Sequence, residues 1–329
     1  MKKYTFAEKK DTRSGFGDGL LEAGRRNENV VALCSGLVGS LKMEAFINAF
    51  PERFTQVGIA EANMMRIAAH MAIGGSIPFT GSFANFSTGH VYDQIRQSIA
   101  FSNRNVKICA ANDRLMPGDD ETVHQILEDI RLMKMLPGMT VINPCDYNQT
   151  KAATIAIAEY QGPVYLRIGC TMVPVFTAAD EVFEIGKASV MNEGTDVSIF
   201  ATGHLVWQAI LAGEQLAEMG INAEIINIHT IKPLDEAAII KSVAKTRCVV
   251  SAEEHNRLGG LGDSIAQVLI EHDPVPMQYV AINDLHSESG KPKELMKKYG
   301  LDAGHIVDAV RKVLKRKAGE KEGRIIKQR

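Results

Sequence analysis

The chain has 329 residues, 45% hydrophobic and 23% charged, with a formal net charge of −2 at pH 7. This is the composition of a globular protein long enough for two cores, and so small a charge excludes an electrostatic case for nucleic acid or an acidic membrane surface. No apolar run reaches the roughly 18 residues of a membrane span, and Met1-Lys2-Lys3-Tyr4 has no apolar signal-peptide core.

Apolar, β-rich runs alternate with helical stretches through the first half. Strands are expected at 30–34, 54–57, 77–80, 106–110, 140–143 and 164–168, and helices near 12–26, 61–73, 87–100, 122–135 and 146–160. Asp146 is placed to cap the last of these helices. Pro174, Thr177 and Asp180 mark a connecting stretch, and a second alternating set follows it. Its strands are expected at 197–201, 223–228, 248–252 and 279–282, and its helices near 204–219, 234–244, 260–272 and 303–316, with Gly220 ending the first helix. Alternating β and α implies an α/β protein of two doubly wound domains with mostly parallel sheets, spanning 1–175 and 187–316. The basic tail 317–329 is expected to be disordered. Five cysteines, Cys34, Cys109, Cys145, Cys170 and Cys248, form no CxxC pair, which suits reduced thiols in a cytoplasm.

Two constellations carry candidate chemistry. Gly58-Ile59-Ala60-Glu61 follows an expected strand and puts Glu61 in the first turn of a helix, outside the carboxyl end of the sheet where ligands of open α/β folds collect. An acid that merely complements the helix dipole has the same signature. Phe83 and Phe86 follow the next strand at i, i+3, spaced either to hold a flat heteroaromatic ring or to pack in the core. Two glycine motifs are set aside. Gly17-Asp18-Gly19, with Asn48 beyond it, falls inside an expected helix rather than after a strand, and Gly259-Gly260-Leu261-Gly262 reads as a loop opening a helix. No metal-ligand set is expected on this chain.

Six segments, in order, resemble the transketolase family: GIAEANM at 58–64, PFTGSFANFSTGHVYDQIRQS at 78–98, HQILEDI at 124–130, GPVYLRIG at 162–169, IHTIKPLD at 228–235 and AEEHNRLGGLGDS at 252–264. The resemblance runs to about residue 316 and covers that family's pyrimidine-binding and C-terminal domains. It implies transfer of a two-carbon ketol unit between a ketose and an aldose, with thiamine diphosphate as cofactor. Glu61 then matches the carboxyl that hydrogen-bonds the aminopyrimidine N1′, and Phe83 and Phe86 the stack on that ring. A carboxyl in that role must carry a proton when needed, and apolar surroundings favour the neutral form. His124 matches a histidine at the donor's hydroxyl and carbonyl, Asp120 an aspartate that reads a substrate hydroxyl, and Arg13 and Ser40 positions that hold the substrate phosphate. A capping histidine and a solvated helix arginine are the plainer readings of His124 and Arg13.

The departures from the family pattern are specific. Asn112 stands where a phosphate-contacting histidine is usual, Arg114 and Glu121 replace glycines, Cys170 replaces a phosphate-binding arginine, and Gly36 replaces an aspartate near the cofactor. Losing two charge-assisted donors, each worth about 1.5–3 kcal/mol, points to a substrate other than an ordinary sugar phosphate, or to weak activity. The diphosphate and its Mg²⁺ are expected on a separate N-terminal subunit in an α2β2 heterotetramer. Two other readings stand beside this one: the β-type subunit of a 2-oxo acid dehydrogenase, and a non-catalytic paralogue that binds or regulates a partner.

Overall fold

Strand propensity and turn chemistry lay out the first sheet. In the computed structural model, which describes residues 2–111, 126–285, 288 and 290–319, a short β1 (Lys9–Lys10) leads into α1 (Thr12–Arg26). Asp11 caps that helix, its side chain accepting from the Ser14 amide at 2.7 Å. The fully buried β2 (Val30–Cys34) follows, then α2 (Glu44–Ala49), β3 (Phe54–Gln56), α3 (Glu61–Ile73) and β4 (Ile77–Phe83). Where one helix is expected over 87–100, the chain instead forms α4 (Ala84–Ser87), a 3₁₀ turn, α5 (Tyr92–Gln94) and a π-helical turn Ile95–Ala100. Thr88 is the cause: its hydroxyl donates to the Ala84 carbonyl at 2.6 Å while its backbone leaves the helical region. β5 (Lys107–Ala111), α6 (Asp129–Lys134), β6 (Thr140–Ile142), α7 (Tyr147–Glu159), β7 (Val164–Arg167) and β8 (Val173–Pro174) complete this half. Asp146 does cap α7, and its second oxygen also accepts from the Phe176 and Thr177 amides, pinning the connector to the helix start.

The second half runs β9 (Ser189–Asn192), β10 (Val197–Ala201), α8 (Leu205–Glu218), β11 (Ala223–Asn227), β12 (Thr230–Lys232), α9 (Glu236–Thr246), β13 (Val249–Asn256), α10 (Leu261–His272), β14 (Met277–Ile282), α11 (Pro292–Lys298) and α12 (Ala303–Lys317). Its five-stranded sheet has the order β14-β13-β10-β11-β9, parallel except for β9. The first sheet has seven strands, β12-β6-β7-β5-β4-β2-β3, parallel except for β12. Each sheet is covered on both faces by separate apolar clusters, as doubly wound folds require. α12 reaches Lys317, so the first residue of the expected tail is helical, and its ammonium donates to the Asp196 and Thr246 carbonyls at 3.0 and 2.8 Å. Residues 320–329 lie outside the described residues.

The glycines of α1 are packing devices. A Cβ at Gly15 would lie 2.3 Å from the Tyr147 carbonyl oxygen, one at Gly19 would lie 2.6 Å from Thr154 Cβ, and one at Gly17 would lie 2.2 Å from the Lys42 carbonyl oxygen. The Gly-Asp-Gly run thus lets α7 and the Lys42 turn approach α1 closely, and lies mid-helix as its position in the sequence implies.

Three of the resembling segments meet at the junction of the two sheets. Arg167, 1% exposed, donates through Nε and Nη2 to the two oxygens of fully buried Asp129 at 2.7 and 3.1 Å. The Tyr165 hydroxyl donates to the same carboxylate at 2.6 Å, and Arg167 Nη1 donates to the Glu254 carbonyl at 3.1 Å. Nearby, the Asn256 amide donates to the Leu127 carbonyl at 2.8 Å, and Lys232 of β12 donates to the Lys134 and Leu136 carbonyls. The second half of the chain is therefore bonded to the first through both β12 and β13.

This junction gives stability a pH dependence. Burial lowers His229 and His255 to about 4 from an ordinary 6.5. Below pH 6.5 the unfolded chain binds protons on both rings that the folded chain refuses until about 4, so stability is lost as pH falls through that window. Burial raises Glu253 to about 7, against the lowering effect of two amide donors. The folded chain keeps that proton between 4.5 and 7 where the unfolded chain releases it, so the Glu253 contribution is lost as pH rises. Two rings outweigh one carboxyl: the urea midpoint should be lower at pH 4.5 than at pH 6.5, and His255→Gln should shrink the difference.

Candidate active site

The site is assembled at the carboxyl ends of β2, β3 and β4. The Val57 amide donates to the Cys34 carbonyl at 3.0 Å, extending the β3–β2 ladder by one step. Gly58 then turns the chain with φ +73, a conformation that a side chain would strain. Ile59 projects outward, 90% exposed, and α3 opens at Glu61.

Glu61 turns inward and is 6% exposed. Its Oε1 accepts from the Ser35 hydroxyl at 3.0 Å and from the Ser82 hydroxyl at 3.1 Å, and the two serine oxygens lie 2.9 Å apart. Ser35 follows β2 directly and Ser82 is the penultimate residue of β4, so two adjacent strands deliver the hydroxyls to one carboxyl oxygen. Burial pushes the thiol of neighbouring Cys34 up to about 11, with the Glu61 charge adding in the same direction. Phe83 ends β4 beside Ser82. Its ring centroid lies 6.3 Å from that of Phe86, tilted by 33°, and both rings are half-buried. A buried carboxyl, and two partly open aromatic rings on the segment that follows Ser82, suit a flat, basic heteroaromatic ring that exchanges a proton at its edge.

Arg13 and Cys170 are brought to one corner. The Thr12 hydroxyl oxygen accepts from the Gly169 amide at 2.7 Å, locking the start of α1 against the exit of β7. Arg13 Nε is buried with no hydrogen-bond partner among the described residues, and Nη2 lies 3.6 Å from Asp11 Oδ2. Cys170 is half-buried on the loop that follows β7, and Ser40 is half-buried in the turn two residues before Lys42. Asn112, Arg114, Asp120, Glu121 and His124 lie outside the described residues. Gly36 has φ +81, and its amide donates to Gln56 Oε1 at 3.0 Å.

The second glycine-rich loop is already filled. The Leu261 and Gly262 amides at the start of α10 donate to the two oxygens of Glu253 at 2.7 and 2.8 Å, and a Cβ on Gly260 would lie 2.0 Å from that carboxylate. Glu253 therefore occupies the place a phosphate would need. Among the described residues there is no cluster of three or more His, Cys, Asp or Glu able to hold a metal ion, and no helix long and apolar enough to cross a membrane. The thiols of Cys34, Cys109, Cys145 and Cys248 are free and buried. Reading the sequence for chemistry misses Ser35 and Ser82, whose signal is a hydroxyl residue at the end of each strand flanking the glutamate.

Comparison with known proteins agrees with this geometry. The family model for the transketolase pyrimidine-binding domain matches residues 8–174, and that for the transketolase C-terminal domain matches residues 186–306. The chain is 40% identical over 305 residues to the 6-deoxy-6-sulfo-D-fructose transketolase subunit SqwH of Clostridium sp. strain MSTE9, covering 93% of this chain and 95% of that protein. It is 35% identical over 291 residues to an apulose-4-phosphate transketolase subunit of Phocaeicola vulgatus, covering 88% and 93%. A solved structure described as a split-gene transketolase in an inactive β4 tetramer superposes with a TM-score of 0.86 at 40% identity, over 93% of this chain and 98% of that one. With both family domains matched in order and their two sheets in place, the chain belongs to the transketolase family.

Proposed function

We propose that this chain supplies the pyrimidine-activating half of a thiamine-diphosphate enzyme that moves a two-carbon ketol unit from a ketose to an aldose. The observation that supports it most is Glu61: a buried carboxyl fixed by two hydroxyls at the carboxyl end of the sheet. The cofactor, when bound, supplies a nucleophilic carbon and an electron sink. Glu61 exchanges a proton with the aminopyrimidine N1′, Phe83 and Phe86 give the ring an apolar face, and the buried surroundings keep water from the carboxyl. The family resemblance assigns Arg13, Ser40, Asp120, His124, Asn112, Arg114 and Cys170 to the substrate. The diphosphate and Mg²⁺ are held by an N-terminal-type subunit, in an α2β2 assembly working in the cytoplasm.

The sequence departs from the sugar-phosphate pattern at Asn112 and Cys170, while Arg13 keeps the cation of that pattern. The two named relatives act on differently tailed sugars, one sulfonated and one phosphorylated, which supports a specialised substrate here. The transketolase match favours this reading over a 2-oxo acid dehydrogenase subunit. On analogy with the inactive β4 neighbour, the chain alone is expected to be inactive. Mixed with its partner subunit, thiamine diphosphate and Mg²⁺, it should turn over xylulose 5-phosphate and ribose 5-phosphate slowly and a sulfonated ketose faster. Rates of about 1–1000 per second on the ordinary pair would overturn the specialised-substrate part. A pair that binds no cofactor would overturn the whole reading in favour of a regulatory paralogue.

A further inference from the structure

The hydroxyls that grip Glu61 form a closed ring of three contacts. Ser35 Oγ and Ser82 Oγ lie 3.0 and 3.1 Å from Glu61 Oε1 and 2.9 Å from each other, and the two serines are 2% and 0% exposed. Each hydroxyl owns one proton, so two protons serve three contacts. When Glu61 is charged, both hydroxyl protons are drawn to Oε1, because hydrogen bonds to an ionised acceptor are roughly twice as strong as neutral ones. When Glu61 is neutral, its exchangeable proton sits on Oε2, and Oε1, then a carbonyl oxygen, still accepts from the hydroxyls. In both states the pair occupies Oε1. Among the described residues, the hydrogen bonds of Glu61 all fall on that oxygen.

We infer that Ser35 and Ser82 are positioning residues, holding Glu61 by Oε1 so that Oε2 meets the cofactor ring, and steadying the carboxylate whenever its proton has passed to that ring. This rests on the role proposed above for Glu61. The strands explain the precision. Cys34 pairs with Gly81 in the parallel β2–β4 ladder, so the next residue on each strand, Ser35 and Ser82, emerges at the same level. The Ser35 amide donates to the Gly81 carbonyl at 3.3 Å, which fixes the two hydroxyls relative to each other. An oxygen set by two strands of a buried sheet is held more tightly than one set by a loop.

The test uses the assembled enzyme with thiamine diphosphate and Mg²⁺, comparing Ser35→Ala, Ser82→Ala and the double variant. Each single variant should lower kcat about tenfold, the effect of about 1.4 kcal/mol, while substrate KM changes less than about twofold. With one donor to the carboxyl lost, the pH profile of kcat should also change, a readout that a merely structural pair would not move. Without substrate, the near-ultraviolet circular dichroism of the bound aminopyrimidine should shift toward the amino tautomer. Because alanine fits within the serine volume, thermal midpoints should hold and serve as the folding control. Variants whose kcat falls only in step with their midpoints, with pH profile and dichroism unmoved, would show a merely structural pair and overturn the inference. Turnover that survives Glu61→Ala would instead overturn the function on which it rests.

Discussion

Glu61→Gln, introduced into the assembled enzyme, is expected to lower kcat by about a hundred- to ten-thousand-fold, the usual worth of a positioned proton-transfer group. That corresponds to roughly 3–5.5 kcal/mol of lost transition-state stabilisation. The amide keeps the size of the side chain, and its oxygen can still accept from Ser35 and Ser82, so what is removed is the exchangeable proton. The unfolding midpoint should accordingly stay in place. Glu61→Ala should abolish turnover to the same degree and cost about 1 kcal/mol more in stability. That cost is small because the two serines, 2.9 Å apart, can bond to each other once the carboxyl has gone. Thiamine-diphosphate titration by calorimetry separates binding from chemistry: affinity should fall far less than turnover, since the rings of Phe83 and Phe86 remain. Full activity from the glutamine variant would end the assignment.

The alternation of apolar runs with helical stretches makes the layers of both sheets legible in the sequence, because strands buried on both faces leave near-continuous apolar segments. β2 and β10 fall where those runs predict them, at Val30–Cys34 and Val197–Ala201. Three classes of feature are not legible. Short edge strands such as β12 carry too few residues for a pattern; Thr230–Lys232 becomes a strand because β6 offers it an edge. Buried ions defeat composition-based reading. Lys107 sits fully buried at the start of β5, where its ammonium donates to Asn105 Oδ1 and to the carbonyls of Tyr160 and Gly162 at 2.6, 2.7 and 2.9 Å, a set of partners gathered from residues 53 and 55 positions further along the chain as well as from the segment just before the strand. Burial lowers that ammonium to about 7, and nothing local in the sequence announces it. The serine pair beside Glu61 is the third case. Each serine is ordinary in its own segment, and only the register of β2 on β4 makes them a pair.

The same reasoning applies to the segments HQILEDI, GPVYLRIG and AEEHNRLGGLGDS, whose resemblance to an enzyme family invites a catalytic reading. Asp129, Tyr165, Arg167 and the Glu254 carbonyl instead form a buried junction between the two halves of the chain. Removing one partner of a buried ion pair strands the other charge away from water, so Asp129→Ala should cost about 3–5 kcal/mol. At the entropy of unfolding typical for a chain of this size, that lowers the thermal midpoint by about 4–7 °C. Arg167→Met should cost a comparable amount, leaving the carboxylate without its cation and the Glu254 carbonyl without its donor. Because each single change leaves an uncompensated charge and the double change leaves none, Asp129→Ala with Arg167→Met should cost less than the sum of the singles. The shortfall, measured by a double-mutant cycle, is the coupling of the pair. The arginine also bridges β7 to β13, so its loss should loosen the two halves from each other, and calorimetry should show the unfolding endotherm broaden. Additive single effects with an unbroadened endotherm would mean that the junction is held by β12 and the apolar contacts around it, and not by the ion pair.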